Sequence, residues 1–291
     1  MAVKIAYYPG NAARAASSEV EDCIQPLCKT LGIQLTELPK ASSDGGNIIK
    51  QSSPKLQHAL VARNLALAES KGLDVLTTCA TSHGIMCDTI DEFNDDLGFA
   101  NHVNNIVART SGIEYNGESQ SRHLLHFLVE EIGLEKVRDA VVNPLRLNVA
   151  AYYGSSMQRS GACGDDDPFM PTYMEQLITA LGGTPVEYDL KCQSVGAPSL
   201  LTINKPVMRM TAAVLSDAIA PERRHRPSNA TALWLQLARA RASHAVRVSA
   251  SAAEHTRWSL GHDTHIGLYK SRLGQTNQDH LFYQSAGAVS L

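Results

Sequence analysis

The side chains best suited to redox or metal chemistry in this chain are its six cysteines: Cys23, Cys28, Cys79, Cys87, Cys163 and Cys192. Their spacing matches neither a zinc ribbon nor a small disulfide framework, so most read as buried thiols. Cys79 stands apart. It follows an apolar, β-type run, Val75 to Thr78, and precedes Ala80-Thr81-Ser82-His83-Gly84 and a helical pattern from Ile85 to Asp96. A strand that ends in a polar loop and opens a helix gathers backbone N–H groups, and α/β proteins place chemistry there. His83 lies four residues on, and Cys87 one helical turn later. Three readings stay open. One is a Cys79–His83–Cys87 metal face that lacks a fourth ligand. The second is an activated redox or nucleophilic thiol, and the third a buried thiol without a task.

Other constellations are weaker. His123 and His126 form H-x-x-H inside what reads as an amphipathic helix, a rim or surface pair rather than a metal site. His262 and His265 repeat the spacing in an unpatterned tail. Asp165-Asp166-Asp167-Pro168 precedes a helix and serves as a cap and dipole complement; three adjacent carboxylates cannot all point at one calcium. The Gly-rich turn Ser42–Asn47 lacks the G-x-G-x-x-G or Gly-Lys-Ser/Thr pattern of a nucleotide loop. Neither a G-x-S-x-G elbow nor an H-E-x-x-H helix occurs.

The elements that position these residues follow from periodicity. Val3–Tyr8 alternates as a strand and ends at Pro9-Gly10. Ser18 and Glu21 form a capping box ahead of a helix to Leu31, which Gly32 stops. Ile33–Leu38 is a second strand. Pro54–Lys71 is helical, and Asp74–Thr78 is a third strand. Helical patterns then run from Ile85 to Val141, with breaks near Gly98 and at 113–118. At Leu147 the order restarts: strand Leu147–Tyr153, helix Phe169–Leu181, strand Thr184–Leu190, turn Lys191–Ser199 and helix Asn204–Ala218.

The repeat is visible in register. "AYYPG" at Ala6–Gly10 answers "AYYGS" at Ala151–Ser155, and Leu35–Gly46 answers Val186–Ala197. The expectation is an α/β chain of two similar strand-helix halves with mainly parallel sheets, residues 1–146 and 147–291. The second half departs from its pattern at residues 221–291. The counterpart of Asp74–Thr78 is Glu222-Arg223-Arg224-His225-Arg226, which cannot fill a strand buried on both faces. Seven arginines and no lysine stand between Pro221 and Trp258. A linker, a diverged segment and a shifted reading frame all fit this change. Leu233–Val248 could form a helix.

Composition narrows the function. The 291 residues are 44% hydrophobic and 19% charged, an ordinary globular balance. A net charge of -3 gives no electrostatic case for nucleic acid or anionic membrane. No apolar run approaches the roughly 18 residues of a spanning helix. The N-terminus reads directly into a strand rather than a signal peptide, so the expected location is cytoplasmic.

Taken together, "YYPG", "KASSDGG", "ARNLALAESKGLDVLTTCATSHG", "RHLLHFLVEEIGLEKV" and "NVAAYYGS" make residues 1–220 resemble the CCG-domain proteins, most closely the B subunit of heterodisulfide reductase. The resemblance implies a thiol/disulfide electron-transfer oxidoreductase. It also implies work beside an iron–sulfur subunit and a flavin subunit, and an iron–sulfur cluster held in each half by a single cysteine, a cysteine pair and C-x-x-C.

Those cluster positions fall here on Asn11, Ser43, Asp44, Cys79 and Ser82 in the first half. In the second they fall on Ser155, Cys192, Gln193, Ser228 and Thr231. Cys79 and Cys192 are the thiols that remain, and they are the candidate catalytic residues. Amide and hydroxyl oxygens are poor partners for a soft cluster iron, and Asp44 is a hard one. The expected function is therefore that of a component like the heterodisulfide reductase B subunit, with an incomplete cluster site or none. The alternatives are a non-catalytic assembly or regulatory paralogue and a Cys79-based thiol sensor or metal-binding protein.

Overall fold

The computed structural model describes residues 3–13, 18–46, 48–159, 161–196, 199 and 202–224, with short strands at 233–234, 245–247 and 259–261. The first sheet holds β1 (Val3–Tyr7), β2 (Ile33–Glu37), β3 (Val75–Thr77) and β4 (Ser121–His123). Its order is β2-β1-β3-β4 and every pairing is parallel. The helices that cross between strands are α1 (Gly10–Ala13), α2 (Ser18–Thr30), α3 (Ile49–Ser52), α4 (Pro54–Glu69), α5 (Ala80–Asp95) and α6 (Leu97–Ser111).

Alternation along β1 explains the layering. Ile5 and Tyr7 enter one core with Ile24, Cys28 and Leu31 of the α2 region and with Phe127. Ala6 and Tyr8 enter another with Leu65, Ile85, Phe93 and Val103 of α4, α5 and α6. A parallel sheet covered on both faces by helices is the α/β arrangement that the sequence predicts.

After β4 come a single turn α7 (Leu124–His126), a π-helical stretch Phe127–Ile132 and α8 (Leu134–Asp139). The second sheet holds β5 (Asn148–Ala150), β6 (Thr184–Pro185) and β7 (Leu233–Trp234) in the order β6-β5-β7, again parallel. Helices α9 (Tyr173–Ala180) and α10 (Asn204–Arg224) accompany it. An antiparallel pair, β8 (Ala245–Arg247) with β9 (Ser259–Gly261), follows. No helix among the described residues is long and apolar enough to cross a membrane.

Several elements differ from the sequence expectation. The helix expected from Ile85 begins at Ala80, because the Cys79 sulfur accepts the Ser82 N–H at 3.4 Å and so takes the N-cap role. His123 ends a strand rather than lying in a helix. β4 escaped detection because Ser-Arg-His is a polar edge strand, with Arg122 beside Asp74 and Glu131 at 3.5 and 3.3 Å. The strand expected at Thr184–Leu190 is cut to two residues, and Asp189–Cys192 turns into a 3-10 helix. Glu222, Arg223 and Arg224 close α10 instead of forming a strand. His225 and Arg226 lie outside the described residues. Leu233–Val248 contains β7 and β8 rather than one helix, since Leu233 and Trp234 pair with Val149 and Ala150.

Candidate functional site

In the first sheet the chain runs from β1 to β2 on one side and then returns to place β3 on the other. The loops after β1 and β3 therefore diverge at the carboxyl edge, which is where α/β sheets open a crevice. Gly10 and Cys79 meet there. Gly10 has φ 75°, and a Cβ on it would lie 2.4 Å from Cys79 Cβ and 2.9 Å from Ser82 Oγ, so no side chain fits. The next residue, Asn11, donates its amide to Asp44 Oδ1 at 2.6 Å. Gly46 N–H donates to the same oxygen at 2.8 Å. Tyr8 pins the second loop: its hydroxyl donates to Ser42 O and accepts from Asp44 N–H, both at 3.1 Å. Asn11, Asp44, Cys79 and Ser82 thus converge on one edge. Ser43 stays exposed at its rim, its hydroxyl accepting from Gly45 N–H.

The second half repeats this plan in part. Tyr152, just beyond β5, donates its hydroxyl to Gln193 O at 2.8 Å, as Tyr8 does to Ser42. Tyr153 N–H donates to Lys191 O at 3.0 Å. The Gln158 amide, turned so that its nitrogen donates, reaches Cys192 O at 3.3 Å and Gly154 O at 3.2 Å. Cys192 and Ser155 therefore flank one loop junction. Burial pushes the Cys192 thiol pKa up, and Lys191 pulls against that shift. Ser228 and Thr231 lie outside the described residues.

Sequence reasoning missed a partly buried ionic group beside Cys192. Lys191 Nζ lies 2.7 Å from Glu175 Oε1 and 3.1 Å from Pro171 O. Tyr153 donates to the other Glu175 oxygen and accepts from Met174 N–H. Glu175 and Lys191 are 16 residues apart, and no local pattern joins them.

Three imidazoles meet where the halves join. The rings of His83, His123 and His126 stand 5.7–5.8 Å apart, centroid to centroid, and all are buried. The sequence marked each one but not their meeting. His83 Nε2 donates to Ala162 O at 3.2 Å, because a carbonyl can only accept, and Nδ1 then accepts from Ser121 Oγ at 2.8 Å. Cys87 Sγ lies 3.7 Å from the His83 ring. Among the described residues no three His, Cys, Asp or Glu side chains form a group that could hold a metal ion, so the Cys79–His83–Cys87 metal face is not formed. His262 and His265 lie outside the described residues. Asp166 and Asp167 act as caps: Asp166 accepts from Thr172 and Tyr173 N–H, and Asp167 from Phe169 and Met170 N–H.

No family model matches the chain. It is 29% identical over 224 residues to the 8-methylmenaquinol:fumarate reductase membrane anchor subunit of Wolinella succinogenes, covering 76% of this chain and 77% of that one. It is 30% identical over 182 residues to the B subunit of the ferredoxin:CoB-CoM heterodisulfide reductase of Methanosarcina mazei, covering 61% and 60%. An Archaeoglobus profundus protein named for its likeness to the heterodisulfide reductase B subunit is 32% identical over 145 residues, 48% of each chain. The chain thus spans 60% of the Methanosarcina mazei protein and about half of the Archaeoglobus one. A solved structure, a hypothetical protein from Helicobacter pylori, matches 79% of this chain and 47% of its own with a TM-score of 0.58 at 13% identity, a likeness of fold alone.

Proposed function

We propose that this chain is a component of a thiol/disulfide electron-transfer complex, in the place of the heterodisulfide reductase B subunit. It would be built from halves 1–146 and 147–291 and assembled with an iron–sulfur subunit and a flavin subunit. The observation that carries this reading is the meeting of the Gly10, Asp44 and Cys79 loops at one sheet edge, in a chain whose relatives include proteins named for the heterodisulfide reductase B subunit.

The residues at that edge do not fit a cluster. Soft cluster iron takes thiolates. Here Asn11 has its amide committed to Asp44, Ser43 is exposed, and Cys79 is the one sulfur among the five positions. We therefore propose that the first half holds no cluster and that the second, with Cys192 alone, holds none either. Anaerobic reconstitution with iron and sulfide, read by iron content and paramagnetic resonance, should give well under one iron per chain. About four irons per chain with a cluster signal would overturn this.

The burial of Cys79, 3% exposed, favours a second reading, a non-catalytic role in assembly or regulation, because a disulfide substrate cannot reach an enclosed sulfur. Cys79→Ser and Cys192→Ser, each placed in the purified complex, separate the two. Loss of thiol/disulfide turnover with assembly intact supports the oxidoreductase reading; unchanged turnover supports the assembly role.

A further inference from the structure

The two outer strands of the first sheet differ in how they meet solvent. β4 carries Arg122, held beside Asp74 and Glu131. β2, Ile-Gln-Leu-Thr-Glu, has no proline and no charge before its last residue, so it lacks the devices that keep an outer strand from pairing with another chain. An open groove of about 830 Å³ runs between this strand and α2. It is lined by Gln25, Pro26 and Lys29 of the helix and by Ile33, Gln34 and Leu35 of the strand. Ile33 and Leu35 turn toward α2, whose Ile24 and Cys28 share their core. Alternation puts Glu37 on the same face.

The groove has a direction. Tyr7 pairs with Glu37 in register and donates its hydroxyl to Glu21 in the first turn of α2 at 3.1 Å. The last turn of α2 brings Lys29 beside Ile33. Helix and strand are therefore antiparallel, with Asp22 and Glu37 at one end. At the other end Lys29 is joined by Lys136, whose Nζ would stand 3.9 Å from a Cβ on Gly32. All four charged side chains are exposed, and Pro26 and Leu35 lie between the two ends. Acidic at one end and basic at the other, the groove is complementary to itself when turned end for end.

We infer that a second copy of this chain occupies the groove, β2 pairing antiparallel with β2 about a two-fold axis at Leu35. Ile33 of one copy then faces Glu37 of the other, and Gln34 faces Thr36. The two α2 helices lie side by side and antiparallel, with Asp22 of one copy toward Lys29 of the other. The helix centre of that arrangement falls at Gln25-Pro26, the residues that line the groove with Leu35, so strand and helix share one axis. A contact of this kind closes as a dimer. One short strand and one helix face bury on the order of 1,000 Å², the small end of specific interfaces, which suits a dissociation constant of about 1–100 µM. The inference uses no residue of the Cys79 or Cys192 loops and stands apart from the function proposed above.

Sedimentation velocity of the full chain from about 1 to 100 µM tests it. The expected result is a concentration-dependent passage from monomer to dimer. Lys29→Glu and Glu37→Lys each set like charges against each other and should weaken the dimer at least about tenfold. The double variant restores opposite charges and should recover most of that loss. Lys71→Glu, an exposed charge reversal beyond α4, should leave the dimer unchanged. Far-ultraviolet circular dichroism of every variant should match the parent, because the altered side chains are exposed. A parent chain that stays monomeric to about 100 µM overturns the proposal. So does a dimer that persists in both single variants, or a double variant no tighter than either.

Discussion

At the scale of single residues, burial decides the chemistry. His83 is held neutral, its pKa pushed down to about 3 by burial and then by His126. Burial lowers His58 and His126 in the same direction. An unfolded imidazole takes a proton near pH 6.5. Between about pH 6.5 and 3 the unfolded chain therefore binds a proton that folded His83 refuses, and stability falls as pH drops. The slope from His83 alone approaches about 1.4 kcal/mol per pH unit. Cys87 works at the other end: burial, then Asp91, push its thiol up to about 12. Above about pH 8.5 an unfolded thiol ionises and the folded one does not, so stability falls again. Urea midpoints should hold level between about pH 6.5 and 8.5 and decline on both sides. A midpoint unchanged down to pH 4 would contradict the buried, neutral His83.

Among the elements, what could be read from the sequence divides along physical lines. β1, β2, α2 and α4 were legible because their apolar spacing, capping box and terminal glycines are local signals. β4 was not, and β6 was read in place but too long. Ser121-Arg122-His123 is polar because it is an edge strand that spends Arg122 on Asp74 and Glu131, and the strand read at Thr184–Leu190 stops after Thr184-Pro185. The start of α5 was hidden because a cysteine sulfur takes the capping place that Ser, Asp or Asn usually marks. The loop convergence at the candidate site was legible from parallel-sheet topology, which gathers loops at the strands' carboxyl ends, whereas the Lys191–Glu175–Tyr153 group was not, since only tertiary packing joins it. Asp96 shows how one residue sets two elements. It ends α5 and begins α6, accepting from Gly98 N–H at 2.8 Å and Phe99 N–H at 3.0 Å. Asp96→Ala should therefore lower stability by about 1 kcal/mol, as loss of an N-cap does. Asp96→Ser should restore most of that in a denaturant melt; equal loss in both variants would mean that the cap contributes little.

For the whole molecule, the two sheets are separate in hydrogen bonding but joined through their covers. Ala80 and Leu125 from the first half share one core with Val149, Tyr153, Met174 and Ile178 from the second. Leu181 reaches back into the core that holds Ile5, Tyr7 and Leu76. His83 donates to Ala162, and Gly84 is pressed against Ser156, where an added Cβ would meet its carbonyl at 3.0 Å. The N-terminal turn of α5 thus leans on the loop that follows β5, so the first candidate edge is built partly on the second half. Two modules with independent cores would unfold in two steps. Here the surface between the halves is the surface that positions Cys79, and opening it exposes Ala80, Leu125 and Met157 to water together. Backbone circular dichroism in urea and the accessibility of Cys79 to a thiol reagent should therefore report one coincident transition. A Cys79 that reacts fully while the helical signal is intact would show that the junction opens on its own, and that the site is not anchored by the second half.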